Sequence, residues 1–181
     1  MKSTRVLSVL VVAGSLSLAS CASPAEPTAF ADEAPSSALV AGDGLLGTSI
    51  GSGLLACNPL PYATDSTVIG PAGGSLTVGP HTLTVPAGAL ATPVLITAEA
   101  PVGTVNSVRF GPEGLQFAAG RPATLTLSYA NCPLLGSMLP KRIAYTSDLL
   151  SILSYVVSVD DLLHRRVSGS LEHFSRYAVA W

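Results

Sequence analysis

The sequence predicts an all-β protein, an antiparallel β-sandwich of about nine short strands, and three observations carry that expectation. From Thr67 onward apolar residues fall at every second position in runs of four to eight, the spacing that gives a strand one buried and one solvated face. Clusters of glycine and proline stand between the runs, as a chain that repeatedly reverses direction requires. No stretch carries the spacing of a convincing amphipathic helix.

The elements follow in order. Ser75 to Val78 (SLTV) and Thr82 to Val85 (TLTV) each put a leucine and a valine on one face and hydroxyl residues on the other, and Gly79-Pro80 between them reads as a hairpin turn. The pattern recurs in Val94 to Ala100, Val105 to Phe110, Thr124 to Tyr129, Arg142 to Thr146, Ile152 to Val159, Arg166 to Leu171 and Tyr177 to Trp181. Pro86-Ala87-Gly88, Gly111-Pro112-Glu113-Gly114 and Gly120-Arg121-Pro122 separate several of these runs. Between Ser147 and Leu163 the apolar residues fit a helix as well as a strand. Many short strands with frequent turns pack as a sandwich, which places the domain over residues 61–181.

The first residues are a secretory signal rather than fold. Lys2 and Arg5 precede an apolar run from Val6 to Leu18, the arrangement of an export signal. At 13 residues the run is shorter than the roughly 20 that span a bilayer core. It ends in Leu18-Ala19-Ser20-Cys21, which resembles the bacterial lipobox, an aliphatic residue and two small ones before the cysteine that becomes the lipidated N-terminus. The resemblance implies a signal peptide over 1–20, lipidation of Cys21, and a lipid-anchored protein of the cell envelope facing the periplasm or the exterior. Alanine rather than aspartate at position 22 is similar to the outer-membrane sorting pattern, for an organism that has one. Acyl chains contribute roughly 0.8 kcal/mol per buried methylene, enough together to hold a domain without a spanning segment.

Residues 21–60 then read as tether and lead-in. Residues 22–38 (ASPAEPTAFADEAPSSA) are too rich in Ala, Pro, Ser and Glu to pack. Residues 39–56 (LVAGDGLLGTSIGSGLLA) are apolar but interrupted by five glycines, each costing a helix about 1 kcal/mol relative to alanine. Two readings of this stretch stand, a loose cover over part of the domain or adhesion to a membrane surface.

Charge and cysteine content exclude several function classes. Losing Lys2 and Arg5 with the signal changes the formal net charge from −2 to −4, and no basic stripe exists to neutralise phosphates, so nucleic acid is not an expected partner. With Cys21 lipidated, Cys57 and Cys132 remain as a pair, which in an exported chain suggests a disulfide; two separate buried thiols are the alternative. Neither has a Cys or His neighbour at metal-ligand spacing, so no zinc site is expected.

Three stretches together resemble one family. Gly73-Gly74-Ser75-Leu76 leads through His81-Thr82-Leu83-Thr84-Val85 into Pro86-Ala87-Gly88-Ala89-Leu90, which is similar to the opening signature of the ZU-five domain of tight-junction ZO proteins, netrin receptors and ankyrins. Phe110-Gly111-Pro112-Glu113-Gly114-Leu115-Gln116-Phe117 and Pro122-Ala123-Thr124-Leu125-Thr126-Leu127 resemble its later portion. The likeness runs from about Ile69 to Tyr129, roughly a third of the chain. It implies a β-sandwich used as an interaction module, without a small-molecule cofactor. The quoted residues also have local reasons: Gly73-Gly74 and Gly88 permit backbone angles closed to other residues, and Pro86 ends a strand.

One tripeptide has a chemical possibility. Some ZU-five domains of death-domain proteins cut themselves at an HFS sequence, and His173-Phe174-Ser175 stands near the end of this chain. By that resemblance Ser175 Oγ attacks the Phe174 carbonyl, His173 takes the hydroxyl proton, and water hydrolyses the ester. In a regular strand His173 and Ser175 share a face but stand about 6–7 Å apart, so contact requires a kink at Phe174. The bland reading makes His173 a satisfied polar residue at a strand junction. Asp160, Asp161 and His164 could be imagined as metal ligands, but an acidic pair followed by His164-Arg165-Arg166 reads as a solvated turn. Arg109 and Arg121 read as surface charges beside turns. No glycine-rich phosphate loop precedes a helix and no glycosidase carboxylate pair can be nominated. The expectation is a non-catalytic envelope lipoprotein whose sandwich contacts protein or glycan, with no cofactor and no metal; the alternative is a domain that cuts between Phe174 and Ser175.

Overall fold

Period-two alternation appears in the structure as eleven strands in two antiparallel sheets. The structure, a computed structural model, describes residues 53–133 and 139–181. The signal peptide, Cys21, the tether and the lead-in as far as Ser52 lie outside the described residues. The strands are β1 (Ala63–Ile69), β2 (Gly74–Val78), β3 (His81–Val85), β4 (Val94–Ala100), β5 (Ser107–Gly111), β6 (Ala123–Ser128), β7 (Arg142–Thr146), β8 (Ile152–Val156), β9 (Ser158–Asp161), β10 (Arg166–Leu171) and β11 (Arg176–Ala180). One sheet has the order β1-β4-β5-β11-β7-β8 and the other β2-β3-β6-β10-β9. No helix occurs among the described residues. The fold is an all-β sandwich.

Alternation decides which side chains meet. Leu76, Val78, Leu83, Val85, Leu125, Leu127, Val167 and Leu171 line the inner face of the five-stranded sheet, and Ile69, Ile96, Val108, Phe110, Ile143, Tyr177 and Val179 line that of the six-stranded sheet. All are buried in one cluster, and burial of this apolar area is the main term holding the layers together. Gly73, at φ +75°, turns the chain from β1 into β2; a Cβ there would lie 2.5 Å from the Val85 carbonyl oxygen, so the turn has room only for glycine.

The count differs from nine for two physical reasons. β1 was not expected because Thr64, Asp65 and Ser66 are exposed on an edge, where only one end of the strand needs apolar residues. The run Ile152 to Val159 is two strands, because the chain leaves the edge of one sheet at Val157 and joins the edge of the other. The ambiguous stretch from Ser147 to Leu163 is therefore strand and turn, not helix.

The core also reaches back ahead of residue 61. Leu55 and Cys57 belong to the main cluster. Leu54 packs with Ala144, Ala178 and Ala180 on the other side of the six-stranded sheet. Leu55 N–H donates to the Val179 carbonyl at 2.9 Å and Cys57 N–H to that of Thr104 at 2.6 Å. This end of the lead-in fills the gap where β5 and β11 part.

His81 is buried in β3, and its Nδ1 accepts the Ser128 backbone N–H at 3.1 Å, joining β3 to the end of β6. Burial pushes its pKa down to about 4. The unfolded chain therefore takes up a proton that the folded one refuses, and stability falls as pH drops from about 6.5 towards 4. The expected loss across that window is about 3 kcal/mol, read as a falling urea midpoint between pH 7 and pH 4. His81→Asn, which keeps an acceptor near Ser128, should flatten this part of the profile.

Candidate functional site

The HFS tripeptide lies where the chain crosses between sheets. β10 ends at Leu171 in one sheet and β11 begins at Arg176 in the other, so residues 172–175 do not continue a regular strand. Their backbone is held firmly: Phe117 N–H donates to Glu172 O at 3.1 Å, Phe174 N–H to Leu115 O at 2.8 Å, Gly114 N–H to Phe174 O at 2.9 Å and Phe110 N–H to Ser175 O at 3.0 Å. The Phe174 ring stacks on Phe110 at 5.2 Å and meets Phe117 edge-on at 5.1 Å. Tyr177 hydroxyl donates to the His173 carbonyl at 2.7 Å, and burial raises the Tyr177 pKa, so the phenol keeps the proton it donates.

The proposed base and nucleophile are close in sequence but not joined. His173 Nδ1 lies 3.4 Å from the Phe174 carbonyl oxygen, and its ring meets Tyr145 edge-on at 5.3 Å. Ser175 is buried, and among the described residues no hydrogen bond links its hydroxyl to His173. Gly114 N–H polarises the carbonyl that attack would need, but the imidazole nitrogen points at the same oxygen rather than taking the hydroxyl proton.

The remaining sequence candidates have structural work. Cys57 and Cys132 form a disulfide. Asp161 accepts from His164 Nδ1 at 2.8 Å and from Arg166 Nε at 3.2 Å; backbone and side-chain hydrogen bonds from His164 and the Arg166 guanidinium hold its pKa below the usual carboxylate value. Asp160 turns inward, accepting from Tyr129 hydroxyl at 2.6 Å and from Lys141 N–H at 2.7 Å. The two acidic neighbours thus face different partners, and no metal-binding group of three occurs among the described residues. Arg121 Nη1 donates to the Ala87 carbonyl at 2.7 Å, locking the turn at Gly88, and Arg109 pairs with Asp148. A depression of about 210 Å³ beside Thr64, Thr97, Glu99, Arg109 and Glu113 is smaller than the roughly 300 Å³ at which ligand pockets begin.

Two features were not read from the sequence. Lys141 is buried, its amine 4.0 Å from the Trp181 ring centroid and donating to the Leu139 carbonyl. Burial pushes its pKa down to about 8 despite nearby Asp160. The second is a rim of exposed apolar side chains along the bend from β8 to β9. Leu153, Tyr155, Val157 and Val159 all face solvent, Val157 at 88 % exposure, with Leu149 and Leu163 beyond either end at 90 % and 86 %. Arg142 lies over the Tyr155 ring at 4.7 Å. A signal for this rim was present: apolar residues occupy both phases of the alternation in ILSYVVSV, whereas a half-buried strand needs only one.

Compared with known proteins, the chain matches no family model and no curated protein.

Proposed function

We propose that this chain is a non-catalytic lipoprotein of the bacterial cell envelope, anchored through Cys21, whose ZU-five-like sandwich is a protein interaction module. The observation that carries the interaction reading is the β8–β9 rim. Leu153 and Tyr155 on β8, Val157 at the bend and Val159 on β9 all face solvent, and exposed apolar surface marks contact sites. Their aliphatic character suits a protein surface better than a glycan, whose hydroxyl groups call for polar partners. The anchor rests on the lipobox-like Leu18-Ala19-Ser20-Cys21.

The test is the intact mass, under denaturing conditions, of the full chain made in a bacterium that lipidates its exported proteins and extracted in detergent. The expected species begins at an acylated Cys21 and ends at Trp181, and Cys21→Ala abolishes the lipid mass. An unmodified mass from the native sequence would overturn the anchor. Release of Ser175–Trp181, abolished in Ser175→Ala, would replace the non-catalytic reading with self-processing at the Phe174–Ser175 bond.

A further inference from the structure

We infer that one end of the sandwich docks on a lipid bilayer, with the tips of its loops in the headgroup layer. The inference takes its setting from the envelope-lipoprotein reading and leaves the β8–β9 rim free for a protein. Strand register defines the end. Ala63 pairs with Ala100, Glu99 with Arg109, Ser107 with Ala178 and Ala180 with Arg142 in one sheet, and Arg166 pairs with both Ser128 and Asp161 in the other. The Cys57–Cys132 disulfide, Asn106 Nδ2 on the Ser128 carbonyl at 2.9 Å and Lys141 N–H on Asp160 at 2.7 Å tie the two sheets together at this level. Four loops of this end carry exposed apolar side chains: Tyr62 ahead of β1, Val102 between β4 and β5, Leu139 ahead of β7, and Leu162 with Leu163 in the turn from β9 to β10. On the described loops of the opposite end Leu149 is the one large apolar side chain so exposed.

Three features of this end fit a bilayer. The first is spread: β1 is the edge strand of one sheet and β9 that of the other at the opposite side, so Tyr62 and Leu163 stand across the width of the end. Apolar tips set apart in this way form no single patch for a protein, whereas lipids rearrange around each tip separately, and leucine and tyrosine suit the boundary between headgroups and acyl chains. The second is charge. The described loops here hold Lys141, His164 and Arg165 and no Asp or Glu, whereas those of the opposite end hold Glu113, Asp148 and Glu172. The nearest carboxylates are engaged within the chain, Asp160 by Tyr129 and Lys141 and Asp161 by His164 and Arg166, so this end meets an anionic leaflet without repulsion. The third is the entry of the chain. Trp181 N–H donates to the Gly53 carbonyl at 3.1 Å and Leu54 bridges to Ala180, so the chain that leads from Cys21 joins the domain at this same end. An anchor keeps the domain at high local concentration over the bilayer, and shallow insertion of a few side chains is then enough to orient it. In that orientation the strands stand on the membrane and the β8–β9 rim faces sideways, toward neighbouring envelope proteins.

All described core residues lie at or after Leu54, so the unlipidated polypeptide from Ala22 to Trp181 retains that core and can be used for the test. Flotation with vesicles of phosphatidylethanolamine and phosphatidylglycerol should carry it with the lipid. Leu163→Glu and Val102→Glu, on different loops of the docking end, should each lower the partition coefficient about tenfold. Leu149→Glu at the far end and Val157→Glu on the rim should leave it unchanged. All four positions are exposed, so each variant should keep the native thermal midpoint. A polypeptide that stays with the aqueous phase at every lipid concentration would overturn the inference. So would an equal loss of binding in Val157→Glu, which moves the lipid contact to the rim, or binding that survives both end substitutions and disappears when residues 39–52 are deleted, which gives it to the lead-in. Failure of the envelope-lipoprotein reading looks different: the full chain would carry no acyl mass on Cys21, while vesicle binding by the unlipidated polypeptide would be unaffected.

Discussion

Phe174→Ala is expected to destabilise the sandwich by about 4 kcal/mol, measured as a lowered urea midpoint at unchanged slope. The ring is fully buried and packed between Phe110, stacked at 5.2 Å, and Phe117, edge-on at 5.1 Å. Truncation removes both aromatic contacts and leaves a hole at the point where the chain crosses from one sheet to the other. The surrounding backbone is too well bonded to collapse into it, with Leu115, Gly114 and Phe110 all engaged by residues 174 and 175. Ser175→Ala provides the comparison: it removes one hydroxyl from the same crossover and should cost less than about 1 kcal/mol. A large loss at Phe174 with a small one at Ser175 assigns the tripeptide to packing. The reverse order would make the Ser175 hydroxyl an unrecognised structural anchor.

The inner faces of the sheets were legible because burial leaves a period-two imprint. Leu76, Val78, Leu83 and Val85 alternate in sequence and all enter the core, with hydroxyl residues between them. β1 was hidden because Asp65 and Ser66 stand on an edge where solvent imposes no such pattern. Lys141 was hidden for another reason: its sequence neighbours do not show that Trp181, forty residues later, lies against its amine. The HFS tripeptide was visible as a motif, but its placement was not. Regular-strand spacing was the reference for His173 and Ser175, whereas they occupy a sheet-to-sheet crossover whose course depends on Phe110, Phe117 and Tyr177 together. Cysteine pairing was the reverse case, since counting alone left Cys57 and Cys132 to each other once Cys21 was set aside, and the structure joins them.

Replacing both Cys57 and Cys132 with alanine should lower stability by about 4 kcal/mol in the chain-entropy description, because the bond closes a loop with a sequence separation of 75. Without it the unfolded chain regains the freedom of that loop, while the folded chain loses the covalent link between the lead-in and the segment after β6. Polar contacts beside the bond oppose complete release. Asn58 N–H donates to the Asn131 carbonyl at 3.2 Å, Asn131 Nδ2 donates back to the Asn58 carbonyl, and Asn106 Nδ2 reaches Asn131 Oδ1 at 2.7 Å and the Ser128 carbonyl at 2.9 Å. Equilibrium unfolding of the double variant and of an additional Asn131→Ala variant separates the two contributions. If the bond acts mainly on the unfolded state, the double variant keeps its native hydrogen-exchange pattern at Leu55 and Cys132 while its urea midpoint falls. If the asparagine cluster already closes the loop, the cysteine changes barely move the midpoint and Asn131→Ala becomes the damaging substitution. Reduction of the native protein should add about 2 Da to its mass, as for any exported disulfide, and should reproduce the midpoint shift of the double variant.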